Sequence, residues 1–225
     1  MKLVFTPDWF LNADVLIEGF SFLVLAVFFI LCYRYYKLNK KKTFLYLGSG
    51  FLLIAIAQLA VILTKFVLYY DTTFTQEVGQ LIVTSRVISS VDIFYYIGFF
   101  LHKFLTLAGF YIIYRLPKRN FGDALLAIYF LIISAVFSVK AEYVYHITVI
   151  VLLVMIARNY YEIYLKNKSG NTKILVTAFV ILGLGHLIAL LSKMQMFYAI
   201  SNIIELASYV ILLALIIKIV KIKKT

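Results

Sequence analysis

Residues 198–218 read YAISNIIELASYVILLALIIK. A helix crosses the hydrocarbon of a bilayer with about 20 predominantly apolar residues, and this stretch is that long. Its one carboxylate is Glu205, and it ends on Lys218, with Lys221, Lys223 and Lys224 just beyond. An apolar middle with a tyrosine at one end and a lysine cluster at the other is the pattern of a membrane helix whose basic end faces the cytoplasm.

Apolar runs of the same kind recur along the chain, near 14–36, 43–69, 90–115, 121–138, 142–164, 173–192 and 197–219. Of the 225 residues 64% are hydrophobic, and the mean hydropathy is +0.99. A soluble domain is roughly 45–50% apolar, so lipid must cover part of this surface. The only prolines, Pro7 and Pro117, fall outside the predicted helix interiors, where they interrupt no helical hydrogen bond. The connections are short, which leaves no room for a tethered soluble domain. The expected fold is an all-α integral membrane protein, a bundle of about seven transmembrane helices forming one domain over residues 1–225. The N-terminus does not read as a cleavable signal, because Pro7, Asp8, Asn12 and Asp14 break the first apolar stretch. No internal repeat is visible.

Charge orients the bundle. Arg34, Lys37, Lys40, Lys41 and Lys42 form one basic cluster, and Arg115, Lys118 and Arg119 a second. Arg158, Lys166, Lys168 and Lys173 form a third, and the C-terminal lysines a fourth. All four fall on one side of an alternating seven-span chain, and an even number of spans would break the alternation. The positive-inside rule makes that side the cytoplasm and puts the N-terminus outside, the C-terminus inside, in a multi-pass protein of the cell membrane. The net charge of +12 is then explained by topology. No basic domain exists to carry nucleic-acid binding. Most acidic residues sit at the opposite ends of the spans: Asp8, Asp14, Glu18, Asp71, Glu77, Asp92 and Glu142. The longest external connection, 72–89, is read as a plain loop or a short interfacial helix, and Trp9-Phe10 as a small interfacial start.

Ionisable residues within spans are costly in lipid and usually face the bundle interior or a wet cavity. Counted from the basic end of its span, His102 lies 13 positions from Arg115, His186 13 from Lys173, Glu205 13 from Lys218 and His146 12 from Arg158. At 1.5 Å per residue these four share a layer about 18–20 Å from that end. Stripes at helical spacing point the same way: Asp14, Glu18 and Ser21; Asp92, Tyr95, Phe99, His102, Thr106 and Gly109, bordered by Tyr96 and Lys103; Ser201, Glu205, Ser208 and Tyr209. Lys65 stands near the outer end of the second span, and Glu142 precedes His146 by one turn. The predicted site is an outward-opening polar pocket lined by Glu18, Lys65, Asp92, His102, Lys103, Glu142, His146, His186 and Glu205. Three contents stay open. It is a structural network, with Glu205 paired to Lys103 or Lys65. It is a pocket for a small molecule or ion. Or His102, His146, His186 and Glu205 hold zinc, copper or iron, or a histidine holds haem. No two histidines stand at i, i+3 or i+4, so no local metal signature exists. The pairs Gly48/Gly50 and Gly183/Gly185 are read as packing features.

Residues 183–192 read GLGHLIALLS, and with 198–218 they resemble the end of the seven-helix membrane sensor regions that precede some prokaryotic histidine kinases. There a Gly-x-x-His-Leu stretch and a short outer turn lead to a last helix with a polar residue, then to an output domain. The resemblance implies a receptor-like, signalling module. Here the chain stops at Lys223-Lys224-Thr225, which implies a stand-alone module with a separate cytoplasmic or membrane partner. Rhodopsin-like proteins need a lysine in the middle of the last span, and only Lys218, at its end, is present. Ceramidase- and progestin-receptor-like hydrolases carry paired histidines in that span, and this chain has none there. The first functional expectation is therefore a sensory module in the lipid bilayer. The alternatives are an intramembrane metalloenzyme using the three histidines and Glu205, and a small transporter or a structural subunit of a membrane complex.

Overall fold

The computed structural model describes residues 8–10, 12–69, 90–115, 142–191 and 195–222. A 3-10 turn at Asp8–Phe10 precedes six long helices: α1 (Ala13–Asn39), α2 (Lys42–Tyr69), α3 (Ser90–Arg115), α4 (Glu142–Asn167), α5 (Gly170–Ala189) and α6 (Gln195–Ile222). Among the described residues no strand occurs. All six helices are long and apolar enough to cross a membrane, which makes this a multi-pass membrane protein. Six of the seven spans read from sequence end within three residues of these helices. The expected fourth span at 121–138, and the 72–89 connection, lie outside the described residues.

Helix α1 shows why lipid must surround the bundle. Asp14, Glu18, Ser21, Val24, Leu25, Phe28, Cys32 and Tyr35 recur at steps of one to four and are buried. On the other face Leu16, Phe20, Leu23, Val27 and Ile30 are exposed. A second polar face, as on a soluble amphipathic helix, is missing. The same holds on α4 at Ile147, Val151 and Val154, and on α5 at Val180, Leu184 and Leu187.

The helices close into a ring in chain order, with α6 returning to α1. Lys65 on α2 reaches Asp14 on α1, so α1 and α2 are antiparallel. Helix α3 runs antiparallel to α2, since Gly98 faces Thr64 and Gly109 faces Gly50. Helices α5 and α6 are antiparallel, through Ser208 and Ala178. Helices α3 and α4 run the same way: Lys103 approaches Glu142 and His102 meets Tyr145 near the start of α4. The N-terminal ends of α1, α3, α4 and α6 therefore share one end of the bundle with the C-terminal ends of α2 and α5. At the far end stand Lys37, Lys40, Lys42, Arg115, Arg158, Lys166, Lys168, Lys173, Lys218 and Lys221.

Two connections at the basic end are tight. Lys40 and Lys168 take the left-handed conformation, φ 54° and 50°, and each donates its backbone N–H to a carbonyl four residues back, Tyr36 and Tyr164, at 2.7 Å. That is a helix-terminating geometry which satisfies an otherwise orphaned carbonyl.

The basic half of the ring is filled by apolar side chains. Phe28 packs edge-on against Phe51 at 4.7 Å between ring centroids, Phe51 stacks on Phe179 at 6.3 Å, and Phe179 on Tyr160 at 5.9 Å. All four are buried, among Leu107, Ile113, Ile156, Leu212 and Ile216. This aromatic layer joins α1, α2, α5 and α4. Across the same interior, Ser208 Oγ donates to the Ala178 carbonyl at 2.8 Å. Side-chain hydrogen bonds between membrane helices average about 0.6 kcal/mol. Ser208→Ala should lower stability by about that amount in detergent unfolding, and a loss above about 2 kcal/mol would show that the bond does more than tie two helices.

Candidate functional site

The other half of the ring is polar and not filled. A cavity of about 120 Å³ lies between all six helices. Of the nine residues assigned to the pocket from sequence, eight line it: Glu18, Lys65, His102, Lys103, Glu142, His146, His186 and Glu205. The side chain of Asp92 lies outside the described residues. The stripe logic explains the meeting. His102, His146, His186 and Glu205, set at one height by the count along their helices, all line the cavity.

Three polar groups share the space. In the first, the buried Lys65 ammonium donates to Asp14 Oδ2 at 2.8 Å, to Glu18 Oε1, and to the Tyr198 hydroxyl at 3.0 Å. This ties α1 and α6 to α2. Phe10 packs edge-on against Tyr198 at 6.4 Å, so the N-terminal turn caps the group. Trp9, beside Phe10, is two-thirds exposed.

The second group is Glu205. Its Oε1 accepts from the Tyr209 hydroxyl at 2.7 Å, one turn away on α6, and from Gln58 Nε2 of α2 at 3.4 Å. The expected pairing of Glu205 with Lys65 or Lys103 is not what the structure shows. Lys65 is turned to the two carboxylates of α1, and Lys103 approaches Glu142 at 4.0 Å while lying over the Tyr145 ring. Lys103 is buried, although its position borders the stripe rather than lying on it.

The third group is the histidines. His146 Nδ1 and His186 Nδ1 face each other at 3.2 Å, so one donates to the other. His102 Nδ1 turns away to the Ala57 carbonyl at 3.2 Å. The buried Tyr145 ring sits among them, with centroids 6.1 Å from His102, 5.1 Å from His146 and 6.1 Å from His186. The four residues considered as metal ligands therefore share a cavity but point to different partners. Among the described residues no group of three His, Cys, Asp or Glu side chains is placed to hold a metal ion. That arrangement of the described residues does not fit a resident zinc, copper or iron.

Sequence reasoning missed several lining or supporting residues. Asp14 is on the same stripe as Glu18 but looks like an outer-end charge. Tyr145 and Tyr198 look like members of the interfacial tyrosine belt. Gln58 and Asn202 also line the cavity, as does Ser201 of the Glu205 stripe; as uncharged residues Gln58 and Asn202 carry no cost large enough to mark them.

No protein-family model matches the chain, and the comparisons with curated proteins and with solved structures found no match.

Proposed function

We propose that this is a receptor-like, sensory membrane module of seven spans, with the cavity open to the outside and the basic helix ends in the cytoplasm. The observation that carries the reading is the division of the interior. A polar cavity occupies the end away from the basic residues, and the layer of Phe28, Phe51, Phe179 and Tyr160 closes the interior beneath it. A blind cavity suits a ligand that binds and leaves by one side. It disfavours a transporter, which needs polar groups reaching both faces.

Two features support the topology. Helices α3 and α4 run in the same direction, so the chain between Arg115 and Glu142 has to return from the basic end to the cavity end. The apolar stretch 121–138 would span about 27 Å as a helix, close to the hydrocarbon thickness of about 30 Å. The gathering of the described basic clusters at one end then follows the positive-inside rule. The resemblance of 183–192 and 198–218 to kinase-linked sensor regions favours signalling through a separate partner, reached by the basic ends, which would also attract anionic lipid.

A ligand in the cavity touches all six described helices, so its binding energy can favour one packing of them over another. The test uses cysteine variants, since the native Cys32 is buried. On intact cells, a membrane-impermeant thiol reagent should label Asn202→Cys directly and Lys168→Cys only after permeabilisation. The opposite pattern would overturn the orientation. A small solute that fills the cavity should protect Asn202→Cys and change the spin-label distance between Lys168→Cys and Lys218→Cys. Protection without a distance change would leave a binding protein and overturn the sensory reading.

A further inference from the structure

We infer that the cavity takes a small organic ammonium ion, with Glu205 as its counter-charge and the second oxygen of Glu18 as a further acceptor. This rests on the reading of the cavity as a ligand site.

The argument begins with charge. Three carboxyl groups line the cavity, Glu18, Glu142 and Glu205, and Asp14 stands directly behind Glu18 on the same lysine. Against these four stand, among the described residues, two ammonium groups, Lys65 and Lys103. Lys65 is committed to Asp14 and Glu18, and Lys103 lies toward Glu142. Glu205 is held by a tyrosine hydroxyl and a glutamine amide, both neutral. A carboxylate at this depth is expensive unless a cation matches it. A bound cation would supply what the described residues leave out.

Unsatisfied atoms point to the same place. Glu18 is 8% exposed, and its Oε2 is buried without a hydrogen-bond partner. His186 is 5% exposed; its Nδ1 is taken by His146, and its Nε2 is buried without a partner. Both residues line the cavity. Buried polar atoms are rarely left unpaired in folded proteins, so these two, with Asn202 Nδ2 as a third in the same cavity, mark where a ligand bonds. An ammonium N–H suits Glu18 Oε2. His186 Nε2 can meet a second polar group on the same ligand, as donor or acceptor according to which tautomer the His146 contact selects.

Shape decides between an organic and an inorganic cation. Bare metal ions need several ligand atoms converging on one point, and no such group of side chains exists among the described residues. Ile17, Val61, Phe99 and Ala189 line the cavity between the polar groups, which gives an alkyl stem apolar contacts. At about 120 Å³ the space suits a ligand of few heavy atoms, well below the pockets of about 300–1,000 Å³ that take drug-sized molecules.

The test compares three probes of nearly equal size: n-propylammonium, n-propanol and propionate, at matched ionic strength. Each is titrated into the purified protein in detergent, with the thermal unfolding midpoint as readout. Propylammonium should raise the midpoint saturably, and the neutral and anionic probes should not. Glu205→Gln should weaken the apparent affinity for propylammonium about 10- to 100-fold, the range expected for losing a hydrogen bond to a charged group. Glu162→Gln, at the basic end, should leave it unchanged. Should the Gln variant not fold, Glu205→Asp keeps the charge, and its preference for propylammonium over propanol gives the same answer; an Asp variant without that preference overturns the inference. An equal response to propanol or propionate would overturn the ammonium inference and leave the cavity a ligand site. No response to any probe would also overturn it, while protection of Asn202→Cys by other solutes would decide the wider reading separately.

Discussion

Lys65→Met should lower the stability of the folded protein by about 3–5 kcal/mol, the cost of removing one partner from a buried ion group. Methionine keeps most of the length and the apolar stem, so lost packing is a minor part of the effect. The main part is what remains behind. Lys65 is 1% exposed, and its ammonium is the cation for both Asp14 and Glu18. Without it two carboxyl groups face each other inside an apolar bundle, and α1 and α6 lose their shared bond to α2. Ordinary hydrogen bonds between membrane helices contribute about 0.6 kcal/mol each, so the loss of three such bonds alone would account for about 2 kcal/mol. A larger deficit is the signature of uncompensated charge. The triple variant Lys65→Met, Asp14→Asn, Glu18→Gln removes the charges together and should recover most of the deficit. Unfolding in mixed detergent micelles measures both. A loss below about 1 kcal/mol for Lys65→Met would mean that water reaches the group and that it does not hold α1 in place.

How much of this site is legible in the sequence depends on which geometric quantity is asked for. Depth is legible, because a helix rises by a constant amount per residue and a basic cluster marks the starting point of each count. That is why His102, His146, His186 and Glu205 can be set at one height from residue numbers alone, and why they line one cavity. The helical periods are legible for the same reason, since each span is an uninterrupted apolar run. Rotation is less so. Lys103 borders its stripe in sequence, yet it is buried with its ammonium over Tyr145, because a long side chain reaches around its own helix. Pairing is not legible at all. Glu205 has two lysines at plausible heights, but the structure turns Lys65, on the same helix as Gln58, to the carboxylates of α1 and Lys103 toward Glu142, which leaves Gln58 for Glu205. Tyrosine is ambiguous by its nature: a ring with a polar tip suits both the lipid headgroup region and a polar interior. Tyr143 is exposed while Tyr145, two residues on, is buried among the histidines.

Glycine shows the same limit, and it yields a second large effect. From sequence, Gly48/Gly50 and Gly183/Gly185 look equally like close-packing pairs. The structure puts the tight crossing at Gly50, between α2 and α3, where its partner Gly109 carries no pair signature. A Cβ on Gly109 would stand 2.6 Å from the Gly50 carbonyl oxygen and 2.7 Å from Ile54 Cγ1, and one on Gly50 would stand 2.9 Å from the Gly109 carbonyl. The obstacle is backbone, which no rotamer change can move aside, so a methyl group there must push the helices apart. Overpacking of this kind costs about 1–3 kcal/mol, occasionally more, against a gain of about 1 kcal/mol in helix propensity from Gly to Ala. With backbone as the obstacle the cost lies at the upper end of that range, so Gly109→Ala should destabilise by about 1–2 kcal/mol net. Gly183→Ala has only Leu153 Cβ, at 3.9 Å, to meet, and should be neutral or slightly stabilising. The consequence reaches the cavity. His102 lies two turns from Gly109 and Ala57 two turns from Gly50, and their contact at 3.2 Å spans the same seam. Splaying α3 from α2 opens that contact and frees His102 to turn toward the cavity. Gly109→Ala should thus change the accessibility of Asn202→Cys as well as the stability, while Gly183→Ala changes neither. Equal stability losses for the two variants would show that the α2–α3 crossing is looser than these distances require.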